Sequence, residues 1–544
     1  MKRVISLLMV LCMVAALFAG CSKPASPSSA KPASSQAVAG TQASGGAITY
    51  PFSVKPIKLK IYAKKGPDVA PYDQLAHFKM HNQRSNITVE WEQPPDQTSS
   101  ERFNIVLASG TLPDMFWNLT PTEYTQLKAS GAVMAVQKYL KDAPVFNKVV
   151  SEFPETKKTF EEPNGDILFL PLFDGLAAND PLVLRGDWLD KLGMKLPVTI
   201  ADWEAYWRAV RDTDLNGNGK KDEIPYSGST IGSVRSLVAA FGMLDTFYVD
   251  VKDGNKIKYS NIEPKYKDFL TWVSGLYAEK IIDPDIATND SKKFDTKVAQ
   301  NLVGSYRGKL NGALNTYMST IAPKISGFKL YGTEPIKATD GTQLHPGCAS
   351  FVRTDLIGGV VTKTNKYPAE TIKWLDWFYD YTPETGGAFL NIFGPKDVTF
   401  KYGPNGEFRY TDYVLKNPDG LSTQQALSKY TTRGQHPAYN KALGSFAMWH
   451  PLTTEAYKRI EPFYDKSLPY VVQALPFTDA ESRAIRSKMA DITTYTDEMV
   501  IKLIIGAEPV SKFDDYVKKI KSMGIDEVLA TYNKGYAEWN KPRP

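Results

Sequence analysis

Cysteine is almost missing from this chain of 544 residues, with 3 in all. Cys12 lies in an apolar amino-terminal run, Cys21 directly behind it, and Cys348 is left over, so no disulfide framework can hold the fold. None is needed, because a chain of roughly 500 residues after its leader buries a large share of its apolar surface. Histidine is nearly as scarce, at 5. His77 and His81 stand four apart on a predicted helix, but the Phe-Lys-Met between them lacks the glutamate of a zinc-protease motif, and the pair reads as solvated or half-buried. GxSxG, CxxC and GxxxxGK are all missing, so hydrolase, redox and nucleotide chemistry have no local support. Past the amino terminus no run approaches the ~20 apolar residues of a membrane span. Charge is modest too, at 23% with a net +6 spread along the chain, and does not point to nucleic acid.

What is present begins with Lys2 and Arg3, an apolar run from Val4 to Phe18, and the small residues Ala19 and Gly20, the pattern of a secretory signal peptide over 1–20. The cleavage region, LFAGCS, resembles a lipobox, which makes Cys21 the lipidated first residue of the mature protein. Residues 21–47, rich in Ser, Ala, Pro and Gly, read as a flexible tether. The fold starts near Ile57, where the strand LKIYA, the helix YDQLAHFKMHNQ and the strand ITVEWEQ spell a βαβ unit and hence a parallel sheet. A helix ending at Gly110, a strand at Met115 to Trp117 and a strand in GDILFLPLF follow. After Pro171 the pattern restarts with the strand PLVLR and a helix whose start is signalled by Thr199 or Asp202. GGVVTK and the helical YPAETIKWLDWFYDY read as a return to the first lobe, and the carboxyl end as helical, with Met489, Ile492, Tyr495, Met499 and Leu503 on one packing face. This predicts an α/β chain with lobe 1 from 55–170 and 345–400 and lobe 2 from 171–344 and 401–544, crossing near 171–175. The 10 Trp and 29 Tyr would suit a cleft that stacks sugar rings.

Several segments in order resemble the type II solute-binding proteins of ABC importers, in the large lipoprotein branch that includes alginate-oligosaccharide-binding proteins. They are the lipobox and tether, LASGTLPDMFW, RGDWLDKLGMKLPVT, DLNGNGKKDEIP, LYAEKIIDPD, TKTNKYPAETIKWLDWFYD and IIGAEPVSKFDDYVKKIKSMGIDEVL. The resemblance implies a two-lobed fold with a hinge and an interlobe ligand cleft. It also implies a monomer, lipid-anchored on the outside of the cytoplasmic membrane, that binds an oligosaccharide and delivers it to ABC permease subunits without chemistry.

The stretch DTDLNGNGKKDE carries the densest run of oxygen side chains, the donors a hard cation such as Ca2+ requires. An EF-hand count would begin at Asp212 and use Asp214, Asn216, the Asn218 carbonyl and Glu223, with Gly217 sixth. The loop of the related proteins starts instead at Asp214 and implies Asn216, Asn218, the Lys220 carbonyl, Asp222 and Glu223 as ligands; it leaves no acid from Asp214 onward unused. A saturated oxygen loop of this kind is structural rather than catalytic.

Open α/β sheets bind ligands at the carboxyl ends of their strands. Trp117, at the end of a strand, Phe173 and Asp174, at the crossing, Tyr306 and Arg307, in a segment that lines the cleft in relatives, and Trp449, in a loop, are therefore the expected sugar contacts. Rings would stack, while Asp174 and Arg307 would bond hydroxyls or a uronate. Two other readings compete: a glycan-degrading enzyme, which needs two carboxylates flanking one bond, and a surface adhesin or sensor that binds without transport.

Overall fold

The computed structural model describes residues 48–66, 68–175, 179–348, 352–353, 356–404, 406–419, 421, 423–432, 437–440 and 449–542. The signal peptide, Cys21 and the 21–47 tether lie outside the described residues. Everything described belongs to one unit that begins at Gly45.

The expected βαβ start is present. Strand β1 (Ile57–Ala63) buries Ile57, Leu59 and Ile61 and exposes Lys58 between them. It pairs in parallel with β2 (Ile87–Glu92) on one side and β3 (Met115–Leu119) on the other. The helix between β1 and β2 is Ala76–Ser85; Tyr72–Gln74 form a separate turn because Leu75 is extended and buries its side chain. In the second lobe lie β4 (Leu182–Arg185), β5 (Ser305–Arg307) and β6 (Leu330–Gly332), with β4 in the middle and antiparallel to both. β7 (Ile357–Val361) returns to the first sheet and lies antiparallel to β3, giving the order β7-β3-β1-β2.

The segment read as a strand in GDILFLPLF makes only short bridges, Ile167 with Glu161, Leu170 with Gly359 and Phe173 with Val352, and a two-residue strand at Phe173–Asp174. Its close approach explains the first glycine of the pair in β7: a Cβ on Gly358 would sit 2.1 Å from the Leu170 carbonyl oxygen, while one on Gly359 would meet Pro437 Cγ at 3.1 Å.

The apolar side chains gather in two main cores. One is built on β1, β3 and β7 with Trp117, Trp374 and Phe378. The other holds Trp188, Trp203, Trp207, Phe269, Leu503 and Ile520, and a smaller cluster beside it holds Tyr306, Leu310 and Trp449. Residues after 400 were expected in the second lobe, yet Tyr410, Val414, Leu427 and Tyr439 pack in the first core together with Phe400. Aromatic packing decides this: the hairpin Phe400–Tyr402 with Phe408–Tyr410 closes over Phe389 and Phe393, with Phe389 and Phe400 centroids 5.3 Å apart. The chain leaves the first lobe only after Tyr439.

Helix ends follow their sequence signals. Thr199 caps Ile200–Asp212 in a reciprocal box with Asp202, and Thr478 does the same with Glu481 at the start of Asp479–Ile504. On that last helix Ile492 and Leu503 are buried and Met489, Tyr495 and Met499 pack against the second core, as the periodicity predicts. No helix among the described residues is long and apolar enough to cross a membrane.

His77 and His81 are not solvated but buried. His77 Nε2 lies 3.0 Å from Asn391 Oδ1, and His81 Nε2 lies 3.1 Å from the Trp374 carbonyl with its ring stacked on Trp377. Burial lowers them to about 4 and about 3, so both are neutral core rings.

Asp376 is the buried group with the clearest pH consequence. Its carboxylate caps the helix Pro144–Glu152 by accepting the Phe146 and Val145 N–H groups at 2.7 and 3.2 Å. Burial outweighs these bonds and, with Asp380 nearby, raises the carboxyl from 3.8 to about 7. A raised folded value means the group's contribution to stability is complete below its unfolded value and is lost as pH rises through about 7. Wild type should therefore lose thermal stability between pH 4 and 8 relative to Asp376→Asn, whose neutral amide oxygen still accepts a cap bond. Melting curves across that range check this, and parallel pH profiles would remove Asp376 as the cause.

Candidate functional site

The sheet registers define where the lobes meet. Leu119, at the carboxyl end of β3, pairs with Ile357, the residue at which β7 enters from the other lobe. Just before it, Val352 bridges Phe173, and Phe173 pairs in parallel with Tyr439. Three crossing chains thus run side by side, and the carboxyl ends of the parallel β1, β2 and β3 all point toward them. In the second lobe β4 starts directly after the crossing at 179–181, and its antiparallel partners end there: Arg307 of β5 opposite Leu182, and Gly332 of β6 opposite Val183. Strand carboxyl ends from both sheets therefore face the crossings, the position at which α/β sheets hold ligands.

The expected contact residues divide sharply by polarity. Trp117 is fully buried among Trp91, Trp374 and Phe378, with centroids at 5.1, 5.6 and 5.2 Å. Every residue of β3 is buried, because this strand is central and covered on both faces. Phe173 packs on Phe146 and Tyr379, and Tyr306 on Phe294 and Tyr317. Trp449 is 7% exposed, donates its indole N–H to Asn311 Oδ1 and packs on Tyr457. All four rings are core side chains in this conformation, so none offers a face for stacking. The charged residues differ: Asp174 and Arg307 remain half-buried at the crossings.

Around them stand residues that the sequence reading missed. Arg307 pairs with Asp180 at 2.9 Å, and Arg353 with Asp174 at 3.9 Å. Gly347 permits the first pair, since a Cβ there would lie 2.6 Å from Asp180 Cβ and 3.0 Å from Arg307 Nη2. His345, also against this pair, is buried, and burial first, then Arg307, lowers it to about 3. At the end of β1, Lys64 donates to Glu123 at 2.6 Å, and Ser100 and the Thr120 N–H donate to the same carboxylate. Burial alone would raise Glu123, but Lys64 and Thr120 hold it below the ordinary carboxylate range. The usable signal was position, one residue beyond a predicted strand end for Lys64 and shortly before a strand start for Asp180.

The polar loop after helix Ile200–Asp212 folds around its carboxylates. Asp214 accepts N–H bonds from Gly217, Asn218 and Gly219 at 2.8, 3.2 and 2.8 Å. Gly217 and Gly219 take φ values of +78° and +82°, which favour glycine. Glu223 is buried; Oε1 accepts the Leu215 and Asn216 N–H groups, while Oε2 is buried with no hydrogen-bond partner. Asp222 accepts the side-chain amides of Asn216 and Asn218, which hold it below its ordinary value. Asp212 lies outside this network, paired with Arg211 at 2.8 Å. Among the described residues no group of three or more His, Cys, Asp or Glu side chains could hold a metal ion. The loop's donor set is instead mixed, with Asn oxygens and peptide carbonyls beside the acids, and the orphaned Glu223 oxygen is a position a hard cation fits.

No family model matches the chain. Over 525 residues it is 23% identical to the fructooligosaccharide ABC transporter substrate-binding protein FusA of Streptococcus pneumoniae, covering 90% of this chain and 92% of that one. Over 469 residues it is 23% identical to the polygalacturonan/rhamnogalacturonan-binding protein YtcQ of Bacillus subtilis, covering 85% and 87%. Lipoprotein LipO of the same organism is 26% identical over 503 residues, covering 88% and 92%. Among solved structures, a human-milk-oligosaccharide (HMO) binding, ABC-transporter-associated protein of Bifidobacterium longum infantis superposes with a TM-score of 0.72 at 18% identity, covering 90% and 100%. The alginate-binding protein AlgQ2, crystallised without calcium ion, gives 0.62 at 24%, covering 89% and 99%. An EF-hand mutant of FusA in complex with fructo-nystose gives 0.61 at 20%, covering 89% and 99%. With two α/β lobes meeting at their strand ends, the chain has the fold of these solved binding proteins and is similar nearly end to end to substrate-binding proteins of ABC transporters.

Proposed function

We propose that this chain captures an oligosaccharide between its lobes and hands it to the permease subunits of an ABC importer, working as a monomer held by a lipid on Cys21 at the outer face of the cytoplasmic membrane. The observation that carries the reading is the meeting of strand carboxyl ends from both sheets at the crossing chains, with half-buried Asp and Arg side chains among them. The names of FusA, YtcQ and AlgQ2 supply the ligand class, each an oligo- or polysaccharide. Asp174 and Arg307 bond sugar hydroxyls in this reading. Contacts made to both lobes at once favour the closed arrangement, and that population shift is the signal the permease reads. The function is binding, with no bond made or broken.

In the same reading the 214–223 loop holds Ca2+ through Asp214, Asn216, Asn218, the Lys220 carbonyl, Asp222 and Glu223, and the ion is structural. Glu223 is followed by Ile224, which bridges Val303, and the chain runs on to Ser227, which bridges Tyr306. The loop thus fixes the far end of a segment whose other end lies beside Tyr306, the neighbour of Arg307 in β5.

A thermal-shift panel of oligosaccharides tests the main reading. A true ligand at 100 times its Kd stabilises the native state by about 2.7 kcal/mol, and the sugar should be recovered unchanged. Shifts by peptides with none by any glycan would overturn the sugar assignment; cleaved products would favour an enzyme.

A further inference from the structure

We infer that the ligand is a neutral oligosaccharide, because among the described residues the half-buried cations at the cleft are already engaged by the chain itself, Lys64, Arg307 and Arg353 by carboxylates and Lys65 and Arg459 by main-chain carbonyls. This rests on the reading of the cleft as a sugar site and narrows it, since the cleft could equally have been built for uronates.

Among the described residues at the strand ends and crossings, Lys64 is held by Glu123 at 2.6 Å, Arg307 by Asp180 at 2.9 Å and Arg353 by Asp174 at 3.9 Å. Two further half-buried cations there donate to main-chain carbonyls, Lys65 to Val69 and Arg459 to Gly332. Arg307 is bound twice over, with Nη2 on the Asp180 carboxylate and Nε 3.4 Å from the Asp180 carbonyl. A uronate needs a guanidinium fork open to a second carboxylate. Here it would have to displace Asp180 and leave that charge beside its own, a like-charge contact that excludes acidic ligands. A sugar hydroxyl meets no such penalty. It both donates and accepts, and a carboxylate with four lone-pair sites beside a guanidinium with five N–H donors still has bonds to give once the two are paired. The Arg307–Asp180 and Arg353–Asp174 pairs are therefore hydroxyl clamps with no net charge.

Isothermal titration of the purified chain against length-matched neutral oligosaccharides (fructo-, malto- and human-milk-type) and acidic ones (oligogalacturonates and alginate oligomers) tests this. Binding by a neutral sugar and none by the acidic ones is expected. Asp180→Asn, which frees the Arg307 fork, should then raise affinity for oligogalacturonate at least tenfold, with Asp174→Asn as a second variant should the first misfold. Wild-type preference for an acidic oligomer over its neutral counterpart would overturn the inference and leave the sugar reading standing. Folded variants that gain nothing toward uronates would overturn the pairing as the cause of exclusion. If peptides bind and neither class of sugar does, the sugar reading falls and this inference with it.

Discussion

Trp117→Ala is expected to destabilise the first lobe by about 3–5 kcal/mol, the cost of removing a large ring from a packed core. The indole is fully buried in a cluster with Trp91, Trp374 and Phe378, on the central strand of a sheet whose order is β7-β3-β1-β2. Little can move to fill the space, because Met115, Phe116 and Leu119 on the same strand are themselves fully buried. The urea unfolding curve, followed by tryptophan fluorescence, should shift to lower denaturant accordingly. A ring that stacked on a sugar would behave in the opposite way, with stability within about 0.5 kcal/mol of wild type, as for surface substitutions, and a large loss of affinity. Unchanged unfolding with lost binding would therefore return Trp117 to the cleft.

The contrast between Trp117 and Arg307 shows how far the sequence could be read. Periodicity located β1, β2, β3 and β4 and the long carboxyl-terminal helix, because each has its own hydrophobic pattern, and Thr199 with Asp202 marked the start of the helix Ile200–Asp212. It could not tell which aromatic rings reach a cleft, since a tryptophan at a strand end is apolar whether it meets sugar or core. It also drew a lobe boundary at 400, although Tyr410, Val414, Leu427 and Tyr439 pack in the first core, because the decision lies in contacts such as Phe393 with Tyr410, which no local pattern reveals. The charged partners stayed hidden for a related reason. Asp180 and Arg307 are far apart in the chain and meet only when β4 and β5 pair, with Leu182 opposite Arg307. Position relative to a strand end was legible; partnership across the sheet was not.

Removing calcium should lower the melting temperature of the chain, and the loop geometry says which residues carry the effect. An ion bound at 100 times its Kd stabilises the native state by about 2.7 kcal/mol, so a chelator should abolish a shift of that order. Glu223→Gln should abolish it too, since Glu223 is buried, orders Leu215 and Asn216 through Oε1 and leaves Oε2 without a partner. Asp212→Asn separates the two ways of counting the loop. A count from Asp212 makes it the first ligand, whereas Asp212 here is turned to Arg211 and the loop amides converge on Asp214. Full retention of the calcium-dependent shift in Asp212→Asn, with its loss in Asp214→Asn, is the expected result. Loss in both would restore the Asp212 count, and identical melting with and without chelator would leave the loop a metal-free turn held by its own amide bonds. Sugar affinity should survive at temperatures where the calcium-free lobe stays folded, because the bonds that Asp214 and Glu223 make within the loop are separate from the Arg307–Asp180 and Arg353–Asp174 pairs.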